Sequence, residues 1–279
     1  MALLHYTYKA MTLIQGARKD PIIRTADSSH WYEANGTPAY TRTTAKGDER
    51  PTTLRDARKE GLLPSVTTVL GILKNPVLEK WKLENILTAA LTLPRIEGET
   101  VTDFARRAAI DADSVGRKAA GFGTLMHAAM ESWALHGQWV RDPVVDAHMG
   151  HFTKWWTDNI VRVVAVEQSV VGKEGYAGKY DLLAEHQAHG LCLIDYKTQN
   201  VKKGTPGFYE SWARQLAAYR HASGLKCGLL SLVIDSNVAS PPVEKLWPAE
   251  EVEDGLQTFL LANQLWQRIN AYYPAGGGK

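Results

Sequence analysis

Two carboxylates and an amine are spaced in this chain so that they could converge. Asp181 ends Gly178-Lys179-Tyr180-Asp181, and Asp195 and Lys197 lie in Ile194-Asp195-Tyr196-Lys197-Thr198. One acid heads an apolar run; the second acid and the lysine close the next. Side chains alternate faces along a strand, so Asp195 and Lys197 point one way and Tyr196 the other. Paired carboxylates suit a hard divalent cation. A cation with a lysine beside it suits hydrolysis of a phosphodiester.

The elements that must position these groups follow from periodicity and turn chemistry. Residues 161–171, 176–185 and 190–196 read as three sequential strands, an antiparallel meander. A helix over 209–222 and a fourth strand over 226–235 follow, then a long amphipathic helix over 249–272. Before the sheet, Ser65 is a natural N-cap for a helix ending near Lys74, ahead of Pro76. Further helices are predicted over 76–92, 101–110, 119–136, where Gly137 is a natural stop, and 145–158. Residues 30–41 read as a hairpin around Asn35-Gly36, and 46–60 as a mixture of loop and short helix. The order gives an α/β core with a helical N-terminal half. Residues 1–60 form an N-terminal hairpin and loop region, and 61–273 one domain (a helical part 61–160, a sheet core 161–273). Residues 274–279 are a glycine-rich, frayed tail.

Composition narrows the class. The chain has 279 residues, enough for a substantial core, and a formal net charge of +2, which does not by itself announce a nucleic-acid binder. The basic pairs Arg106-Arg107, Arg117-Lys118 and Lys202-Lys203 each read first as solvated faces. Two cysteines, Cys192 and Cys227, cannot supply the four thiolates of an iron–sulfur cluster or a disulfide framework, so a reducing cytoplasm fits. Residues 1–12 lack a signal-peptide pattern, and no apolar run approaches membrane-spanning length, so no membrane partner is expected.

The pattern resembles the PD-(D/E)xK nuclease superfamily in its RecB-like branch. That signature is a helical histidine, a strand aspartate, an acid-x-lysine pair on the next strand, and QxxxY on the following helix. Here these read Gly123-Thr124-Leu125-Met126-His127, Gly178-Lys179-Tyr180-Asp181, Asp195-Tyr196-Lys197 and Gln215-Leu216-Ala217-Ala218-Tyr219, in order and on the predicted element types. Each piece alone is weak; their joint occurrence carries the resemblance. The stretch Pro64-Ser65-Val66-Thr67-Thr68-Val69-Leu70, with Leu78-Glu79-Lys80-Trp81-Lys82 after it, is similar to the mitochondrial genome maintenance exonucleases and their phage relatives.

The resemblance implies a restriction-endonuclease-like fold, a mixed central sheet flanked by helices. It implies Mg²⁺ or Mn²⁺ held by His127, Asp181, Asp195 and the Tyr196 carbonyl, with histidine tilting the preference toward Mn²⁺. Lys197 would orient or deprotonate the attacking water, or neutralise developing charge. Gln215 and Tyr219, one helical turn apart, would anchor the DNA backbone or the lysine. Ser65 and Thr67 would meet a phosphate, although capping is the plainer role for Ser65. Glu131, one turn from His127, and Glu167 on the preceding strand would support the metal site. Trp133, Trp155 and Trp156 read as core, and His151, His186, His189 and His221 have no evident ligand partners.

The implied function is a metal-dependent DNA exonuclease acting on a free end, with a leaning to single strands. It would be phage-encoded, would act in the bacterial host cytoplasm in recombination, repair or DNA degradation, and would work beside a phage recombination or single-strand-binding protein. A dsDNA end-resecting enzyme or a structure-specific endonuclease shares the same core. A catalytically silent DNA-binding module and a small-phosphoester hydrolase are the alternatives of other classes.

Overall fold

A computed structural model describes residues 30–73, 76–201 and 204–275. The leader reading of 1–12, the Lys202-Lys203 pair and residues 276–279 lie outside the described residues, as does the Arg117 side chain.

The chain begins with β1 (Trp31–Tyr32), β2 (Thr41–Thr43), β3 (Glu49–Pro51), α1 (Leu54–Glu60), β4 (Leu63–Pro64) and α2 (Val66–Leu70). The helices α3 (Pro76–Thr92), α4 (Val101–His136) and α5 (Asp146–Asn159) lead into β5 (Ile160–Gly172), β6 (Tyr176–His186) and β7 (Gly190–Gln199). Then come α6 (Glu210–Ser223), β8 (Gly228–Asp235), β9 (Val243–Leu246) and α7 (Ala249–Asn270). Strands β5 to β9 form one five-stranded sheet in chain order. Pairing is antiparallel except between β7 and β8, which run parallel across the α6 connection. The architecture is mixed α/β, with helices on both faces.

The N-terminal turn follows the sequence reading, and two later parts of it need correction. The turn at Asn35-Gly36 forms, with Gly36 N–H donating to Glu33 O at 2.9 Å. Its flanks pair as a short hairpin, with Tyr32 opposite Pro38, Glu33 N–H donating to Thr37 O and Ala39 N–H donating to Trp31 O, each at 2.8 Å; β1 pairs in addition with β4, and β2 with β3. The helices expected over 101–110 and 119–136 are one helix of 36 residues. It starts on Thr100, whose hydroxyl accepts from Asp103 N, and stops at left-handed Gly137. The internal glycines at 116, 121 and 123 do not break it, since a glycine in a helix costs only about 1 kcal/mol. The edge strand β9 is absent from the sequence reading.

The alternation of β7 sorts its side chains between the two faces. Cys192, Ile194 and Tyr196 join a core with Met126, Met130, Met149 and Phe152 from α4 and α5. Leu193 joins the opposite core, with Leu216 and Tyr219 from α6 and Phe259 and Trp266 from α7. Trp155 lies in the first core, with Trp133 and Trp156 packed against it, as the sequence suggests. Both cysteines are free. Arg106 and Arg107 are paired with Asp103 and Glu99. Among the described residues no helix is long and apolar enough to cross a membrane.

One feature of the register creates the site. The β6–β7 ladder runs from His186↔Gly190 to Leu182↔Ile194 and stops. Beyond it β6 continues against β5, to Gly172↔Tyr176, and β7 continues against β8, to Gln199↔Asp235. The two central strands therefore fork, and Asp181 and Asp195 are the next residues in register, at the base of the fork.

Candidate active site

At the fork the missing ladder bond is replaced by a side chain. Asp181 Oδ2 accepts the Tyr196 N–H at 2.6 Å, which satisfies a donor that the splayed strand would otherwise orphan. The other oxygen, Oδ1, lies 3.6 Å from His127 Nδ1. His127 reaches the fork from α4, whose close approach to β7 depends on Gly123. A Cβ there would sit 3.0 Å from Thr198 Oγ1.

On the α6 face, Asp195, Lys197 and Gln215 close a ring. Lys197 Nζ lies 2.7 Å from Asp195 Oδ2 and donates to Gln215 Oε1 at 3.0 Å. Gln215 Nε2 donates to Asp195 Oδ1 at 3.3 Å and to the Tyr219 hydroxyl at 2.9 Å. An ammonium only donates, so the Gln215 amide oxygen must face it, and the amide NH₂ is left for the acid and the phenol. Glutamine and tyrosine one turn apart on α6 thereby lock the amine against the acid. The contact to Asp195 Oδ2 is an ion pair without hydrogen-bond geometry, and that buried oxygen accepts no directed bond. Lys197 Nζ also stands 5.9 Å from the centroid of the Trp212 ring, a neighbour with no counterpart in the sequence reading.

The electrostatics follow. Burial raises the Asp195 carboxyl, the Lys197 charge pulls it back, and the Asp181 charge adds to the rise. The net result is a pKa pushed up to about 6. At His127 burial opposes the imidazolium, but the contact to Asp181 and the charges of Asp181 and Asp195 outweigh it, so its pKa lies above the ordinary histidine value. Burial lifts the Tyr219 hydroxyl far above its usual range, so it stays a neutral phenol.

The remaining sequence candidates fall into place unevenly. Glu167 joins His127 and Asp181: one ligand atom from each lies within 4.8 Å of the others. Asp195 is not one of that trio; it is held by Lys197 and Gln215. Glu131 makes no hydrogen bond to His127 among the described residues, and its charge is felt instead at Glu167 and Lys179. Ser65 is buried, and its hydroxyl accepts from Thr68 N at 3.0 Å. It caps α2 and is not free for a phosphate, whereas Thr67 beside it is exposed. Sequence reasoning missed the Lys179–Glu167 ion pair. It also missed His186 and His189, which stack and gather round Glu244 of β9, while Trp155 Nε1 donates to the same carboxylate.

Do these groups fit a divalent cation? Metal–ligand distances of about 2.1 Å allow two ligand atoms to share one ion when they lie within about 4.2 Å of each other. His127 and Asp181, at 3.6 Å, meet that condition. The mixed nitrogen and oxygen donors of His127, Asp181 and Glu167 suit Mg²⁺ or Mn²⁺.

Gly178 explains itself only in the folded chain. A Cβ there would overlap the Tyr219 ring and press on Val66. Gly178→Ala is expected to cost about 1–3 kcal/mol of stability. Because Tyr219 accepts from Gln215, it should also loosen the lysine. Thermal unfolding together with activity per folded molecule checks both.

No family model matches the chain, and no curated protein is similar to it in sequence at a significant level. Among solved structures, the crystal structure of SSO0001 is 16% identical, with a TM-score of 0.31, over 70% of this chain and 88% of that one. An alkaline exonuclease (LHK-Exo) from Laribacter hongkongensis is 11% identical, with a TM-score of 0.26, over 69% of this chain and 98% of that one. Likenesses of this size decide nothing about the site, which stands on its own geometry.

Proposed function

We propose that this protein is a divalent-metal-dependent deoxyribonuclease that digests DNA from a free end. The observation that carries the reading is the closed ring of Asp195, Lys197 and Gln215 beside the His127–Asp181 pair at the strand fork. His127, Asp181 and Asp195 would hold Mg²⁺ or Mn²⁺, joined by the Tyr196 carbonyl. Bound there, the ion supplies Lewis-acid polarisation of the scissile phosphate and acidifies a water.

The chain's own residues do the rest. Asp195 is nearly fully buried, so its interaction with Lys197 is little screened by water. Lys197 carries three donors and directs one at Gln215 while its charge faces Asp195; a remaining donor can meet the attacking water or a phosphate oxygen. Gln215 fixes the direction of that amine, and Tyr219 fixes Gln215. The carboxylates and the amine leave a site able to accept the negative charge of a phosphodiester only when a cation is bound. The preference for single strands, the phage origin and the role in recombination, repair or DNA degradation rest on the sequence resemblance.

Digestion of end-labelled single- and double-stranded linear DNA beside a closed circle tests the reading. Loss of the linear forms with circles spared is the expected outcome and ranks the strand preference. Cut circles would convert the reading to an endonuclease. Intact DNA of every form would leave a binding module.

A further inference from the structure

We propose that Glu167 is itself a cation ligand and that the Lys179 ammonium holds its place while the site is metal-free. The inference rests on the metal-dependent site described above and adds two residues to it.

Glu167 lies on β5. The pairs Val166↔Leu182 and Gln168↔Tyr180 bracket it and set it directly opposite Asp181. Like charges directly opposite destabilise a sheet unless a counter-charge lies between them. The carboxylate is largely shielded, with 18% of the side chain exposed, and burial raises its pKa. Its oxygen belongs to the trio with His127 and Asp181. Its backbone also sits at φ 51°, a left-handed conformation rare for a residue other than glycine. The second acid therefore stands on the same face as Asp181, at a backbone position that departs from regular strand geometry.

What balances the acids here is Lys179. It stands two residues before Asp181 on the same strand, hence on the same face, and forms an ion pair with Glu167. Three carboxylates, Glu167, Asp181 and Asp195, thus gather with two ammonium groups, Lys179 and Lys197, and the His127 imidazole. The buried Oδ2 of Asp195 accepts no directed hydrogen bond. A divalent cation would take the place of the Lys179 ammonium at Glu167. By taking Glu167 it would release Lys179 toward the open fork, where a phosphate backbone would pass.

The two residues form one ion pair, so a purely structural role would make their variants behave alike. A ligand and its placeholder must behave oppositely. Isothermal titration of the EDTA-stripped full-length protein with Mn²⁺, without DNA, separates the two. Glu167→Gln, of equal size, is expected to weaken Mn²⁺ binding about tenfold or more. Lys179→Met, which removes a competing cation, is expected to tighten it roughly fivefold. Equal losses in both variants, or no change in either, would overturn the assignment. Opposite shifts in a protein that cuts no DNA would sustain it while removing the nuclease reading.

Discussion

Lys197→Ala is expected to lower the rate of DNA cleavage by about 10³-fold while leaving the fold and DNA affinity largely intact. The magnitude is that of removing a positioned proton-transfer or charge-stabilising group. Lys197 touches nothing that holds a secondary element in place. Its partners are Asp195 and Gln215, with the Trp212 ring further off. Without the ammonium, Asp195 would be a buried carboxylate lacking its counter-charge, and such a group takes up a proton instead of staying bare. The fold therefore survives and the chemistry does not. Single-turnover cleavage, fluorescence anisotropy with labelled DNA and thermal unfolding measure the three quantities separately. A variant that cuts at the parental rate would remove Lys197 from the chemistry.

The second large effect is on metal binding. Asp181→Asn should weaken Mn²⁺ binding at least about 100-fold, since even groups that only support ligands cost 10–100-fold when replaced. Asparagine keeps an oxygen for the Tyr196 N–H, so the fork should stay formed. Asp195→Asn should weaken binding as well. The same site predicts a pH dependence with a definite sign. The Asp195 carboxyl is pushed up to about 6, and His127 is raised above the ordinary histidine value. Both therefore gain protons as pH falls, Asp195 between about 7.5 and 5.5, and a protonated group cannot ligate. Mn²⁺ affinity should fall about fourfold over that range by the proton competition such a carboxyl imposes, and further with the histidine. In Asp195→Asn the pH slope should be shallower. An affinity independent of pH would contradict this placement of the ligands.

The layered part of the fold is legible in the periodicities, because each of those elements writes its own pattern. Alternation marks β6 and β7, a proline and a terminal threonine bound α3, and Ser65 caps α2 as its residue type suggests. Long-range choices were not legible. Nothing near β1 says that, besides the local turn to Pro38, it also pairs with β4 across α1. Three glycines in α4 look like breaks until packing overrides them. At only four residues after Pro241-Pro242, β9 is too short for an alternation signal, and with it went Glu244 and the histidines it gathers.

The site divides in the same way. Asp195 with Lys197, and Gln215 with Tyr219, are local spacings on single elements, and the structure joins them in one network. Glu167 opposite Asp181 depends on two register shifts in β5, between Ile160 and Arg162 and between Val163 and Ala165, which no periodicity encodes. The need for glycine at 178 appears only once the Tyr219 ring is in place.

The most direct test is hydrolysis of an end-labelled linear DNA by the EDTA-stripped protein, before and after Mn²⁺ is added in excess of chelator. Wild type should release no product with EDTA and digest the strand once Mn²⁺ is free, while Lys197→Ala stays inert in both. Cleavage undiminished by EDTA, or equal digestion by the variant, would contradict a metal-dependent centre built on Asp181, Asp195 and Lys197.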